Sequence, residues 1–332
     1  TVSGGGMVYE STSGTYVVFS PNNNNSQYPT LMAGTLSNGT MTWGTPEVVM
    51  SSGSSAFSNQ ISAGNGKIYI AFHNYTSSNW YLYARWYTIS GTSFTGNSDG
   101  NVVVQTNSTT RQIMTPCGYD ANADRVIFGY AVNDSTTKDL YYKTAEVSST
   151  GFTNLGTALS IGSIKCADNT DVSIGLEHDD NAQRWVLSWL DGSTTYPEAC
   201  VLEVGSSTIT KGSDVSLISE IGTQNRPFAT AYDSVNNKIT MLWRSDASSS
   251  SYAFYTTILT VNSATNALTF TTPAQIFASN TGDSYQIEYD ASTSKFLVCL
   301  NKQAPSYDND LYLLSFTSNG SALTLTDTTL VD

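Results

Sequence analysis

One spacing constrains this chain more than any other property. Six segments share a residue that is usually aromatic, then usually an acid. Six positions after the first comes a basic or polar residue that opens an apolar run. They read Tyr9-Glu10 to Thr15, Ile61-Ser62 to Lys67, Tyr119-Asp120 to Arg125, His178-Asp179 to Arg184, Tyr232-Asp233 to Lys238 and Tyr289-Asp290 to Lys295. The second residues are 52 to 59 positions apart, about one sixth of the 332-residue chain. A fixed period of this length is the mark of a repeat architecture, in which each unit buries its apolar face against its neighbours.

The runs Ile68–Phe72, Val126–Tyr130, Trp185–Trp189 and Ile239–Trp243 are rich in branched and aromatic residues, as buried strands are. Between acid and basic residue lie Asn, Ser, Ala and Gly, residues that make hairpin turns. Each unit then carries a polar loop, a third strand (Leu82–Ile89, Leu140–Val147 and Ala253–Val261 are examples), another turn and a fourth strand. No amphipathic helical stretch interrupts them. The expected fold is all-β, a six-bladed β-propeller with four antiparallel strands per blade. Alternatives are a seven-bladed propeller or a β-solenoid, whose coils repeat at a shorter period. A single domain spans residues 1–332, with blades near 1–52, 53–108, 109–162, 163–220, 221–279 and 280–332. On this phasing Phe72, Tyr130, Trp189 and Trp243 close the second strands and should be buried between blades.

Composition narrows the function. Charged residues are 12% of the chain and the net charge is −13, which argues against nucleic acid or an anionic membrane as partner. No apolar run approaches the ~20 residues of a membrane span, so membrane insertion is not expected. With 20 Tyr, 12 Phe and 6 Trp the chain is too aromatic for a disordered one. Cys117, Cys166, Cys200 and Cys299 show no metal-ligand spacing and read as buried thiols, with a Cys166–Cys200 disulfide as the alternative. Six Asn-x-Ser/Thr sequons, at Asn24, Asn38, Asn74, Asn107, Asn133 and Asn319, are what chance gives in so Ser/Thr-rich a chain.

The WD40 Gly-His and Trp-Asp pair, the kelch double glycine and the sialidase Asp-box are all missing. The units do resemble repeat arrays of predicted bacteriophage virion proteins, particularly marine ones. Those arrays look like Tyr-Asp-x5-Lys-Val, an apolar strand, then Gly-Thr-Val-Ser-Gly-Thr-x-x-Phe-Gly-x-Pro. This chain offers Tyr232-Asp233 with Lys238-Ile239, and Gly34-Thr35-Leu36-Ser37 with Gly39-Thr40 and Trp43-Gly44-Thr45-Pro46. Ile89-Ser90-Gly91-Thr92-Ser93-Phe94 is a further partial match. The second unit departs from the pattern, with Ser62 in place of the acid. The resemblance implies a virion tail, fibre or spike component on the virion surface or otherwise extracellular. Other virion proteins and a host-surface glycan or receptor would be its partners. It carries no catalytic residues.

The recurring acids Glu10, Asp120, Asp179, Asp233 and Asp290 read as caps of their own turns. Arg125, Arg184, Lys238 and Lys295 read as covers of those turns, and such surface pairs are worth little. Residues that break the repeat are the site candidates. Arg111, Asp168, Asp171, Arg226 and Asp283 precede the first strands of consecutive units and alternate in sign. Arg111, Asp171, Arg226 and Asp283 form the first expected ligand set. An adjacent Arg lowers a carboxylate pKa, so this alternation suits binding better than acid–base chemistry. The loops between second and third strands hold His73, Asn74, Trp80, Asp134, Asp191, Arg244, Asp246, Tyr252, Tyr307 and Asp308. Of these His73, Trp80, Arg244 and Tyr307 form the second set. Aromatic faces beside Asn and Asp are how proteins commonly hold sugars. His178 occupies the aromatic turn position and reads as structural. No cofactor is implied, although Asp308 and Asp310 in Asp308-Asn309-Asp310 offer oxygen ligands for Ca2+.

The expected function is a non-enzymatic virion-surface, tail-fibre or spike module that recognises a host-surface glycan or protein. Alternatives are a polysaccharide-acting propeller glycosidase or lyase, and a secreted lectin. An enzyme concentrates its repeat-breaking acids at one deep mouth, whereas a lectin offers several similar sites between blades.

Overall fold

The computed structural model of the protein describes residues 6–22, 27–51, 60–76, 79–96, 102–108, 112–132, 137–149, 151–165, 174–218, 228–248, 251–278, 281–303 and 309–331. Among them there is no helix. The strands form six antiparallel sheets in chain order, each a meander of consecutive hairpins. The first strands are Gly6–Glu10, Gln60–Gly64, Gln112–Asp120, Ile174–Asp179, Ala229–Asp233 and Thr281–Asp290. Each pairs with the strand that opens at the repeat's basic or polar position. The third strand follows by a second hairpin.

In five sheets the fourth position is shared by two short strands, both paired to the third. In the first sheet these are Thr40–Trp43 and Glu47–Val48. In the fifth they are Ala267–Phe270 and Ala274–Ala278. The matching Thr45-Pro46 and Thr272-Pro273 fall in the breaks, where a proline costs no ladder bond because none is made. The sixth sheet keeps Leu323–Val331 unbroken, with one irregularity between Ser315 and Phe316 on its partner.

The repeat acids cap their turns. In five units the acid pairs across the ladder with the residue five positions on, as Asp120 does with Arg125 and Asp233 with Lys238, leaving a four-residue loop. Asp233 Oδ1 accepts from the backbone N–H of Val235 and Asn236 at 3.1 and 3.0 Å. Asp120, Asp179 and Glu10 accept the same two bonds in their own turns. The residue before the basic position lies in the left-handed region. It is Gly14, Asp124, Gln183, Asn237 or Ser294, with φ between 50° and 66°.

The second unit is built differently. Gly64 pairs directly with Lys67, so its loop is only Asn65-Gly66, both left-handed at φ 53° and 71°. This is the Asn-Gly hairpin turn, and it has no loop N–H groups for an acid at Ser62 to receive. Gly66 N–H instead donates to Glu10 Oε1 of the first unit at 3.1 Å.

Two of the basic positions, Arg125 and Arg184, reach beyond their own turns. Arg125 is buried and turns outward along its sheet, Nε donating to Thr144 Oγ1 at 3.0 Å and Nη2 to Asn154 O at 2.8 Å. Arg184 likewise reaches Glu203 at 2.7 Å and Asn266 Oδ1 at 2.9 Å. Their long stems reach the outer hairpins, and Arg184 also keeps its own turn, Nη1 donating to Gln183 O at 2.9 Å.

The chain divides into two compact units, Thr1–Gly162 with Val204–Thr210, and Ser163–Glu203 with Lys211–Asp332. Within the first, Val17, Phe19, Leu31 and Ala33 of the first sheet pack on Ile68, Ile70, Phe72 and Tyr87 of the second. The second sheet's other face, with Tyr69, Leu82, Ala84 and Trp86, packs on Met114, Val126, Phe128 and Tyr130 of the third. Within the second unit, Val186, Ala199 and Val201 meet Ile239, Met241 and Trp243, whereas Ala229, Ala231, Leu242 and Phe254 meet Tyr285, Ile287, Phe296 and Val298. Phe72, Tyr130, Trp189 and Trp243 are all buried, as the phasing predicts.

The aromatic partners Tyr232 and Tyr119 link neighbouring sheets. Tyr232 OH accepts from Asn181 N–H of the fourth sheet's turn at 3.2 Å and donates to Asn237 Oδ1 in its own. Tyr119 OH donates to Asp124 and its ring stacks on Tyr69 of the second sheet, centroids 4.9 Å apart. The repeat motif is therefore both a turn cap and a clasp between adjacent sheets. His178 takes the same position, its Nδ1 2.7 Å from Asp180 Oδ1 and its ring 4.8 Å from Trp185, a structural placement.

Cys200 is a free thiol, fully buried on Pro197–Val204, where lack of solvent pushes it far above its ordinary range. The Cys166–Cys200 disulfide of the alternative reading involves Cys166, which lies outside the described residues. Cys117 is also free and buried, pushed up to about 12.

Candidate functional site

The hairpin of Lys67–Thr76 and Asn79–Ser90 in the second sheet carries exposed and half-buried aromatic side chains at its loop end. The sequence reading placed His73 and Trp80 in a loop. The structure extends both strands to the connection, so His73 faces Leu82 and Tyr75 faces Trp80 across the ladder. Period-2 alternation puts His73, Tyr75 and Trp80 on one face. The Trp80 ring sits between the other two, 5.2 Å from His73 and 4.8 Å from Tyr75. His73 is buried, Trp80 half-buried and Tyr75 43% exposed. Buried His73 fixes the tryptophan from below, while the outer ring meets solvent.

Arg244 stands at the position of the fifth unit equivalent to His73, six residues after the basic position. It too is a strand residue rather than a loop one, 3% exposed, with its backbone N–H donating to Tyr285 OH at 3.2 Å. Burial of so charged a side chain marks a built environment around it. Asp191 of the same loop set is a turn cap, accepting from Ser193 N–H and Thr194 N–H.

Of the other expected site residues, Arg111, Asp168, Asp171, Arg226, Asp134, Tyr307 and Asp308 lie outside the described residues. Asp283 falls within the strand Thr281–Asp290 and Asp310 within Asn309–Ser318, where the reading had loops; their side chains are not described. Asp310 pairs with Lys302 in the ladder, whereas Asp283 lies in the irregular stretch between the Thr281 and Tyr285 pairs. Among the described residues no three His, Cys, Asp or Glu side chains group closely enough to hold a metal ion.

Two functional candidates escaped the sequence reading. Glu177 and Glu288 lie two residues before the repeat acid, on the first strands of the fourth and sixth sheets. The other units have Val8, Gln60, Gly118 and Ala231 there, so comparing repeat positions would have exposed the pair. Burial pushes the Glu177 carboxyl up to about 8, the negative charges of Glu288 and Asp180 add to the shift, and the Thr230 hydroxyl opposes it. That hydroxyl is 3.5 Å away, too far to compensate. Glu288, at an exposed strand position, is raised in the same direction by partial loss of solvent at its carboxyl.

No protein-family model and no curated protein matches the sequence. Solved structures do match over nearly the whole chain. The Aleuria aurantia lectin AAL, an N224Q mutant in complex with Fucα1-6GlcNAc, shares 12% identity, 98% of this chain and 95% of that one, TM-score 0.51. AofleA from Arthrobotrys oligospora shares 7%, covering 99% and 88%, TM-score 0.56. A family PL25 polysaccharide lyase, an ulvan lyase bound to -[GlcA(1-4)Rha3S]-, shares 9%, covering 97% and 80%, TM-score 0.50. At such identities the likeness establishes the fold alone, and that fold is a six-bladed β-propeller.

Proposed function

We propose that the chain is a non-enzymatic glycan-recognition propeller, displayed on a virion or other extracellular surface and directed at a host-surface glycan. The observation that carries this reading is the Tyr75–Trp80–His73 stack at the end of the second sheet's hairpin. A tryptophan held by two tilted neighbouring rings presents a rigid apolar surface to the C–H side of a sugar ring at little entropic cost. The lectin neighbour solved with Fucα1-6GlcNAc supports the same class of ligand. The repeat's resemblance to phage virion arrays supports the setting. The test is a glycan array with the purified protein and its Trp80→Ala variant. The expected result is binding that falls at least tenfold in the variant while its thermal melt stays cooperative. Equal binding by a folded variant overturns the site.

A second reading is favoured by Glu177. A carboxyl that keeps its proton up to about pH 8 is poised to protonate a glycosidic oxygen, with a second carboxylate as base. Release of reducing ends from a host polysaccharide, abolished by Glu177→Gln, would establish it; no release from any polysaccharide bound on the array excludes it.

A further inference from the structure

The same hairpin has an opposite face. Ile68, Ile70, Phe72 and Asn74 alternate with the residues just described and pair with Tyr87, Arg85, Tyr83 and Tyr81. This face packs on the first sheet, against Phe19, Leu31 and Val49. At its loop end it holds an unmet polar group. Asn74 is 4% exposed, its Nδ2 donates only to Met50 Sδ at 3.0 Å, and its Oδ1 is buried and receives nothing. A thioether is a weak acceptor, and native interiors rarely leave a buried amide oxygen unpaired. Its cross-strand partner Tyr81 lies nearly parallel to Tyr83, centroids 6.0 Å apart and planes at 19°. Both rings are half-buried.

Met50 is held over this end by its own backbone neighbour. Arg85 Nη1 donates to Val49 O at 2.9 Å, and Val49 N–H donates to Pro29 O at 2.8 Å. The main chain is fixed, but a methionine side chain swings among rotamers at low cost.

We propose that the seam between the first and second sheets is a saccharide subsite, in which Asn74 receives a sugar hydroxyl, Tyr81 and Tyr83 form the wall, and the Met50 side chain is a displaceable cover. It rests on the glycan-recognition reading but occupies the other face of the hairpin from Trp80. A hydroxyl donates to Asn74 Oδ1 and accepts from Nδ2, replacing one poor bond by two ordinary ones, while a sugar C–H face lies against Tyr81. One hairpin then engages two rings of a glycan, one on each side.

The methyl of Met50 is the reporter. The protein labelled with [methyl-13C]methionine has six such signals at most, and Met50→Leu assigns the one needed. Methyl glycosides of glucose, galactose, mannose and fucose are titrated in turn. The expected result is a saturable shift of the Met50 signal with at least one of them. It is weakened tenfold or more by Asn74→Ala, strengthened by Met50→Ala as read on the array, and retained in Trp80→Ala. A silent Met50 methyl, with only a water on Asn74 Oδ1 in a crystal soaked with the same glycosides, overturns the subsite. If array binding through Trp80 persists in that case, the glycan-recognition reading survives without it; if nothing binds in either experiment, both fall. Should Asn74→Ala fail to fold, Asn74→Asp tests the same bond, because a carboxylate has lost the donor.

Discussion

An acid that receives two backbone N–H groups stabilises a turn only where the loop supplies them. Asp233 does so, and a third bond arrives from Asn236 Nδ2 at 2.7 Å. Burial alone would raise its pKa, but the bonds from Asn236 and Val235 prevail and hold it below its ordinary value. Asp233→Ala should therefore cost about 1–2 kcal/mol, the usual loss of a capping side chain, measured by urea denaturation. Ser62→Asp should give no gain, although it restores the repeat consensus, because the Asn65-Gly66 loop has no free N–H pair to offer. A stabilised Ser62→Asp variant would mean that the second turn opens into the four-residue form.

Sheets in this protein are joined through their faces, so large aromatic residues at the seams carry the packing. Trp243 is 1% exposed, packs among Met241, Leu190 and Phe228, and stacks on Tyr255 at 6.1 Å. Trp243→Ala should cost about 3–5 kcal/mol, as large aromatic truncations do. Its indole N–H has no acceptor. Trp243→Phe should consequently lose much less, since it removes a buried donor that nothing receives. Thermal or chemical denaturation of the two variants separates these costs. Comparable losses would show that the N–H is satisfied in solution.

For the molecule as a whole, pH acts through its carboxyl groups. Glu177 is raised in the folded state, so both states are protonated at low pH and its contribution there is nil. As pH climbs from about 4.5, the ordinary value of a glutamate, to about 8 the unfolded chain releases this proton while the folded one retains it, and stability falls across that window. The net charge of −13 pushes the same way as acids ionise. At the acid end, serine and threonine bonds hold Asp290 down at about 2, so its stabilising effect is lost as pH falls from about 3.8 to about 2. Melting temperature should thus be higher at pH 5 than at pH 8, and Glu177→Gln should narrow the difference. An unchanged pH profile in that variant would remove Glu177 from the explanation.

Much of the fold was legible in the amino-acid order because its causes are local. Turn capping by Asp120 or Asp233 needs only a few consecutive residues, and the near-continuous apolar run Ile239–Trp243 marks a strand buried on both faces without reference to any neighbour. The Asn65-Gly66 exception is equally local, two residues that tolerate positive φ. The site was legible only in part. His73 and Trp80 could be named from composition, but their burial and pairing with Tyr75 follow from how far the two strands run together, which no single residue declares. Arg125 and Arg184 bond to outer hairpins remote from their own turns. Whether Asn74 faces the first sheet or the third, and which charges press on Glu177, depend on which faces of separate strands meet. Local chemistry thus specifies turns and strands, while the partners of a buried polar group are chosen by residues distant in sequence and exist only once the sheets have packed.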